Sequence, residues 1–188
     1  MTPARKPASF SIHQLKVTLK GSRPPIWRRI QVGSDITLDE LQQTLQVAMG
    51  WTDSHLHQFI VDETHYGEPD PDSWIEMKSE RRAKLSQVAP YPGSRFIYEY
   101  DFGDGWEHGI LVEKVLPAEE GVRYPRCLKG RRACPPEDCG GSWGYADLLE
   151  IIKDPSHEEY ESMWAWLGVS FDPEAFDLDG VNWALTSI

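Results

Sequence analysis

Residues 95–115 read RFIYEYDFGDGWEHGILVEKV, and this stretch decides the fold. Its two halves are rich in aromatic and aliphatic residues, and they flank the dipeptide Asp104-Gly105. Asp-Gly between two such segments is a strong signal for a β-hairpin. If Asp104 and Gly105 fill the two turn positions, the strand ladder places Asp101 directly opposite His108. The sequence therefore predicts a hairpin in which an aspartate touches a histidine.

The N-terminal part of the chain predicts a second hairpin. Leu15, Val17 and Leu19 alternate with polar residues, which is the period-two pattern of a half-buried strand. The turn-forming sequence GSRPP at 21–25 ends that strand. In the strand that follows, Arg28 shares a face with aliphatic residues, so we expect its charged side chain to point toward the apolar side.

A helix is predicted directly after this hairpin. Thr37 begins it, Glu40 follows three residues later in the capping-box arrangement, and Gly50 ends it. Residues 56–61 indicate a further strand. The polar residues 62–82 indicate a long surface excursion.

The last third of the chain indicates helices. Apolar residues at helical spacing predict them over 145–153, 155–167 and 177–185. Strands first and helices last predict the α+β class rather than a parallel α/β sheet. No internal repeat or long linker divides the chain, so we expect one compact domain over 10–188, preceded by a flexible tail at 1–9.

The composition restricts the partners of the protein. Of the 188 residues 40% are hydrophobic, and 30 acidic residues against 19 basic ones give a net charge of -11. This charge opposes binding to phosphate backbones and anionic membranes. No apolar run reaches the roughly 18 residues of a membrane span, and the N-terminal MTPARKPASF lacks the apolar core of a signal peptide. Together with an odd number of cysteines, this predicts a cytoplasmic protein that binds neither nucleic acid nor membrane.

All three cysteines lie in residues 124–145, which read YPRCLKGRRACPPEDCGGSWGY. Glycine, proline and charged residues crowd this segment, so an irregular loop is expected rather than helix or sheet. We expect the loop to lie against the hairpin at 95–115, with Cys127 and Cys134 facing inward.

The cysteines also suggest zinc. Thiolates at Cys127, Cys134 and Cys139 need one further ligand for a tetrahedral zinc ion, and His108, or next His57, is the preferred one. The spacing of six and then four residues between cysteines is not the paired C-x-x-C pattern of common zinc sites. The alternative is that the thiols pack as small hydrophobic groups. The chain contains no Walker lysine and no H-E-x-x-H.

Five blocks of sequence, in this order along the chain, resemble the plasmid pRiA4b ORF-3-like protein family, whose members are also labelled as TnpR-type insertion-sequence passenger proteins. The blocks are QLKVTLKGSRPPIWRRIQV, LQVAMGWTDSHLHQF, YEYDFGDGWEHGILVEKV, YPRCLKGRRACPPEDCGGSWGY and FDPEAFDLDGVN. The resemblance implies a compact α+β domain with a mixed, roll-like sheet, and an association with plasmids or other mobile DNA. It implies no established activity.

The resemblance also bears on two details. The TnpR label is shared with resolvases, but this acidic chain lacks a nucleophilic serine in an arginine-rich catalytic domain. Relatives often carry valine at the position of Cys139. The resemblance therefore favours a zinc site of two cysteines and two histidines over one that uses all three cysteines. The ligands of that site are Cys127, Cys134, His57 and His108.

A non-catalytic binding module is the preferred functional hypothesis. Aromatic residues beside polar ones are typical anchors of interfaces, and no complete catalytic set is present. The expected partner is a protein or peptide, bound by a Cys- and His-lined site. The binding residues that we expect are Arg28, Trp51, His55 and Trp106.

The alternative is a metal-assisted hydrolase or nuclease-like enzyme. In that case His57, Asp101, His108 and Glu137 would hold a metal ion or move protons, and Arg28 would meet an anionic group of the substrate. A contact between Asp101 and His108 would also serve a structural role, because each would satisfy a polar group of the other.

Overall fold

The fold is built on one mixed sheet of eight strands, in the order β5-β4-β3-β6-β7-β1-β2-β8. The computed structural model describes residues 11–69, 76–168 and 171–188. Strand β5 pairs in parallel with β4, and the other neighbours pair antiparallel. The strands are β1 (Ser11–Leu19), β2 (Trp27–Gly33), β3 (His57–Val61), β4 (Thr64–Gly67), β5 (Met77–Ser79), β6 (Arg95–Tyr100), β7 (Trp106–Pro117) and β8 (Arg126–Arg131).

Helices follow β2, β5 and β8. The α-helices are α1 (Leu38–Met49), α2 (Leu85–Val88), α3 (Gly141–Ile151), α4 (Tyr160–Leu167) and α5 (Leu178–Ala184), and short 3₁₀ turns cover Glu80–Arg82 and Leu185–Ser187. In the part of the chain that the structure describes, no helix is long and apolar enough to cross a bilayer. The predicted class, a single α+β domain with a mixed sheet, is confirmed, and the sheet is open.

One face of the sheet forms the core, because alternate residues of neighbouring strands are buried on it. Phe59, Tyr98, Ile110, Val17 and Ile30 represent five adjacent strands on this face, and each is at most 1% exposed. Helix α1 packs its leucines into the same cluster. The opposite face carries ion pairs. Burial alternates with period two over residues 15–19, as predicted, whereas residues 12–15 are all buried.

The register of the central hairpin differs from the prediction. Tyr98 pairs with His108 and Tyr100 with Trp106, so a five-residue loop, residues 101–105, joins β6 to β7. The predicted pairing of Asp101 with His108 is therefore wrong.

Asp101 itself explains the longer loop. Its φ of 56° takes the backbone out of the extended conformation. Its Oδ1 accepts hydrogen bonds from the amides of Gly103 (3.0 Å) and Asp104 (3.3 Å), and its carbonyl accepts one from Gly105 (2.6 Å). An aspartate that bonds the following amides forms its own turn and ends the ladder early.

Several other predictions can be compared with the structure. The helix predicted from Thr37 to Gly50 is confirmed with both caps. The segment 62–82, predicted to be a surface excursion, contributes β4 and β5, and the cysteine segment, predicted to be irregular, supplies β8 and the start of α3. Helix α4 begins at Tyr160 instead of Pro155. The predicted tail at 1–9 lies outside the described residues.

The first turn of α1 depends on a reciprocal pair of hydrogen bonds. The Thr37 hydroxyl accepts from the amide of Glu40 (3.2 Å), and the Glu40 carboxylate accepts from the amide of Thr37 (2.8 Å). These bonds satisfy two backbone groups that a helix start otherwise leaves unpaired. Helix α1 leads directly into the segment that carries Trp51 and His55, so its start matters for the site described below.

We expect Thr37→Ala to lower the free energy of unfolding by about 1 kcal/mol, because it removes the side-chain acceptor of the cap. Urea unfolding followed by circular dichroism measures this change. Thr37→Ser keeps the hydroxyl and should stay close to the wild type. Equal destabilisation by both substitutions would show that the cap is not the cause.

Candidate functional site

Three segments that are distant in sequence meet at one end of the sheet. They are residues 51–57 after α1, the hairpin loop 101–105, and a loop at residues 132–140 that we call the Cys-Pro loop. Trp51 Nε1 donates to the carbonyl of Pro135 (2.9 Å), and the amide of Gly140 donates to Asp104 Oδ2 (3.2 Å). The Cys-Pro loop thus lies against the hairpin, as expected from the sequence.

This packing needs a glycine at the end of the Cys-Pro loop. A Cβ atom at Gly141 would lie 3.3 Å from the backbone carbonyl carbon of Asp104 and still closer to its oxygen. Gly141 also has a φ of 68°, in the left-handed region. A side chain here would push the Cys-Pro loop away from the hairpin.

His55, Asp101 and Asp138 come together where the three segments meet. Their ligand atoms all lie within 4.8 Å of one another, and they are the single such group of His, Cys, Asp or Glu among the described residues. His55 Nε2 lies 3.2 Å from Asp138 Oδ1 and 3.7 Å from Asp101 Oδ2. Asp101 is buried, whereas Asp138 is largely exposed.

Aspartates in this region adopt a backbone conformation that is uncommon for residues other than glycine. Asp53, Asp101 and Asp138 have φ angles of 57°, 56° and 60°. Such conformations cost free energy and often cluster at functional sites. Two of these three residues face His55, so the backbone strain and the side-chain cluster coincide.

Glu137 connects the Cys-Pro loop to the two other segments. Its carboxylate accepts from the Tyr100 hydroxyl (2.5 Å) and from the Thr52 hydroxyl (2.6 Å). Burial opposes ionisation of Glu137, but the hydrogen bonds from Thr52 and Tyr100 outweigh it and lower its pKa. Burial, followed by the hydrogen bond to Glu137, raises the pKa of Tyr100 above its ordinary value. Glu137 is thus a charged acceptor that positions the loop.

Trp51, Trp106 and His108 lie below this surface. They are 8%, 2% and 0% exposed. Trp51 stacks on Tyr100 with ring centroids 5.1 Å apart, and it meets His108 edge-on at 5.2 Å. These rings support the site from the core and offer a partner little contact area, unlike the surface role expected for Trp51 and Trp106.

His108 is a neutral core residue. Burial lowers its pKa to about 4. Its Nδ1 lies 3.2 Å from the carbonyl of Tyr98, which fixes the proton on that nitrogen. His57 has a different partner, since its Nε2 lies 3.0 Å from the buried carboxylate of Glu80. The structure therefore separates His57, Asp101 and His108, which the enzyme hypothesis had grouped.

Arg28 is buried as expected, but the protein itself occupies its donors. It donates through Nε to the carbonyl of Ala48 (2.9 Å) and through Nη1 to those of Trp27 (2.9 Å) and Arg131 (3.0 Å). Nη2 lies 3.4 Å from Cys134 Sγ. The guanidinium therefore joins the end of α1 to β8 and the Cys-Pro loop.

An aromatic ring covers this guanidinium. The Phe176 ring centroid lies 4.2 Å from Arg28 Cζ, a cation–π contact. A Cβ atom at Gly130 would lie 2.5 Å from the same ring, so glycine is required beneath it. The role of Arg28 that these contacts support is structural.

The cysteines do not gather with histidines. All three thiols are free, and burial raises the pKa of Cys134 to about 11 and also raises that of Cys127. Cys127 lies on β8, and Cys134 Sγ contacts Met49 Sδ at 3.7 Å. The zinc sites predicted from Cys127, Cys134 and Cys139 with His57 or His108 are not assembled among the described residues.

A cleft of about 750 Å³ lies beside the His55 cluster. Its floor contains the pair of His57 and Glu80, and its rim contains the exposed side chains of Leu56 and Phe102. Four carboxylates line it, those of Asp39, Asp53, Glu68 and Glu80.

Sequence reasoning missed Asp53, Glu80 and Asp138. Asp138 ends the PPED stretch and directly follows Glu137. The turn-forming residues around it were the sequence signal that could have identified it. Glu80 lies in the segment that was expected to be surface, so no sequence pattern pointed to its burial.

The fold and site define a single-domain α+β protein with an acid-lined cleft beside a His-Asp-Asp cluster. The chain belongs to the plasmid pRiA4b ORF-3-like protein family, whose model matches residues 11–180. It is 40% identical over 181 residues to uncharacterized protein y4hQ of Sinorhizobium fredii, with 95% of this chain and 92% of that protein covered. It also resembles the crystal structure of a protein of unknown function, MM3350 from Methanosarcina mazei Go1, at 42% identity and a TM-score of 0.85. That likeness covers 92% of this chain and 97% of the other.

We expect Arg28→Lys to lower the free energy of unfolding by about 2 kcal/mol or more, because an ammonium cannot reach all the acceptors that the guanidinium fork reaches. Urea unfolding measures the loss. Arg95→Lys is the matched control on the exposed side of β6, and it should stay within about 0.5 kcal/mol of the wild type. Equal effects of the two substitutions would contradict the structural role of Arg28.

The pKa of His108 predicts a pH dependence of stability. The pKa of a histidine in the unfolded chain is about 6.5. As the pH falls, the unfolded state therefore binds a proton at this side chain before the folded state does. Neutral His108 contributes fully to the free energy of unfolding above about pH 6.5. This contribution decreases as the pH falls toward about 4, and about 2 kcal/mol of it is lost at pH 5. Urea unfolding at pH 7 and pH 5 tests this. The stability of His108→Asn should depend less on pH than that of the wild type, and an equal dependence would contradict the burial of a neutral ring.

Proposed function

We propose that this protein is a non-catalytic binding module that recognises a basic segment of a protein partner in the acid-lined cleft. The observation that carries the proposal is the charge of that cleft. The sequence predicted a protein or peptide partner, and the proposal specifies that the bound segment of this partner is basic.

The charge of the cleft favours a cationic ligand. The cleft is lined by the carboxylates of Asp39, Asp53, Glu68 and Glu80. Among its described lining residues, Arg81 alone carries a lysine or arginine side chain. The Arg81 side chain is 75% exposed and lies 3.6 Å from Asp39, so it points largely into solvent. Lysine or arginine side chains of a partner would find several carboxylates within a confined volume, which favours their binding and speeds association.

Two exposed apolar side chains supply the second part of the recognition surface. Leu56 is 70% exposed and Phe102 is 47% exposed, and both line the cleft. Large apolar groups beside charged ones are common anchors at protein interfaces. The expected ligand is therefore a segment in which basic residues alternate with aliphatic or aromatic ones.

The alternative of a metal-assisted hydrolase built on His57, Asp101 and His108 receives less support. His57 faces Glu80, and His108 is fully buried with a lowered pKa. Neither side chain is placed to act together with Asp101 on a substrate.

The association with plasmids in the family's description stays a prediction for this chain. The three free thiols support a cytoplasmic location.

Selection of a random peptide library on the immobilised protein tests the proposal. We expect enrichment of peptides that combine lysine or arginine with apolar residues, and weaker binding as the salt concentration rises. For a selected peptide, Leu56→Ser should weaken binding about tenfold, or about 1.4 kcal/mol, because it removes an anchor of the cleft.

Tyr91→Ser is the matched control for this experiment. Tyr91 is 72% exposed and does not line the cleft, so its substitution should leave peptide affinity unchanged. Enrichment of acidic peptides, or equal losses in Leu56→Ser and Tyr91→Ser, would overturn the proposal.

A further inference from the structure

The geometry points to a binding site for a divalent zinc-like ion formed by His55, Asp101 and Asp138. This inference goes beyond the proposed peptide recognition and does not depend on it. It also differs from the zinc ligands expected from the sequence, since no cysteine takes part.

Two distances within the cluster are close to those between ligands of one metal ion. Zinc binds histidine nitrogen and carboxylate oxygen at about 2.0 to 2.2 Å, so two ligands of a tetrahedral ion lie about 3.3 to 3.6 Å apart. His55 Nε2 lies 3.2 Å from Asp138 Oδ1 and 3.7 Å from Asp101 Oδ2. The three ligand atoms all lie within 4.8 Å of one another, so one ion between them is geometrically accessible to all three side chains.

The histidine nitrogen provides a second and independent indication. His55 Nε2 is shielded from solvent and has no hydrogen-bond partner. It lies within 3.7 Å of two carboxylate oxygens but forms a hydrogen bond to neither. A buried polar atom without a partner costs free energy, and a bound ion is one of the recognised reasons for finding such an atom.

Asp101 points to the same centre. Its side chain is about nine-tenths buried, with 10% of its surface exposed. The amides of Gly103 and Asp104 bond Oδ1, which leaves Oδ2 as the atom nearest to His55. The loop amides thus hold the carboxylate in place while its second oxygen faces the cluster, as outer contacts of metal ligands commonly do.

The donor set selects the class of ion. Imidazole nitrogen favours zinc and other transition metals, whereas calcium and magnesium prefer sites made entirely of oxygen. One divalent cation would also balance the charge of two carboxylates. Three protein ligands leave a further coordination position for water or for a group of a partner.

Titration of the chelator-treated protein with zinc chloride, followed by calorimetry at neutral pH, tests the site. We expect binding of about one zinc ion per chain. His55→Gln and Asp138→Asn should each weaken binding by at least about tenfold, because even outer contacts of a ligand contribute that much. The Asp138 side chain is 72% exposed, so its substitution should leave the fold intact, which circular dichroism verifies.

Two control variants separate this site from other zinc binding. Asp179→Asn alters an exposed acid on α5 and should bind zinc as the wild type does. Cys139→Ser should also retain zinc, because the proposed site contains no thiol. Equal zinc affinity in the wild type and Asp138→Asn would overturn the inference. So would loss of zinc in Cys139→Ser but not in His55→Gln, or tighter binding of calcium or magnesium than of zinc.

Discussion

The buried guanidinium of Arg28 is the contact on which the arrangement of the site depends. It bonds the carbonyl of Ala48 near the end of α1 and that of Arg131 at the end of β8, and it reaches Cys134 in the Cys-Pro loop. The exposed carbonyls at the C-terminus of a helix carry partial negative charge, so they suit a buried cation. A single side chain therefore fixes a helix, an edge strand and a loop relative to one another.

The position of His55 follows from that arrangement. Helix α1 ends at Gly50, whose left-handed conformation turns the chain, and Trp51 then bonds the carbonyl of Pro135 in the Cys-Pro loop. The same segment carries His55, which lies beside Asp138 of the Cys-Pro loop. The hairpin loop completes the set, because the amide of Asp101 donates to the carbonyl of Leu56 at 2.8 Å. Hydrogen bonds that each involve a backbone group thus bring the three segments together, and the side chains of the cluster follow.

The sequence was informative where the signal was local, and it failed where long-range contacts decided. The capping box of Thr37 and the burial of Arg28 could be predicted, since each depends on periodicity over a few residues. The hairpin was predicted but its register was not, because the side chain of Asp101 bonds the loop amides and lengthens the turn. The partnership of His55 with Asp138 had no local signal at all. The crowding of turn formers around Cys134 did locate a loop of the candidate site, but its acidic residue Asp138, rather than its cysteines, lies beside the histidine.

The cleft and the cluster are coupled through the order of residues in the chain. His55 is followed directly by Leu56, and Asp101 is followed directly by Phe102, so each side chain of the cluster precedes one of the exposed apolar groups. Leu56 and Phe102 lie on irregular segments that lack the support of a strand ladder. An exposed apolar anchor on such a segment contributes most to affinity when its backbone is ordered before the partner arrives. Contacts that join His55 to Asp101 and Asp138 restrain both segments at once. The chemistry of the His55 cluster and the shape of the exposed recognition surface are therefore two consequences of the same packing.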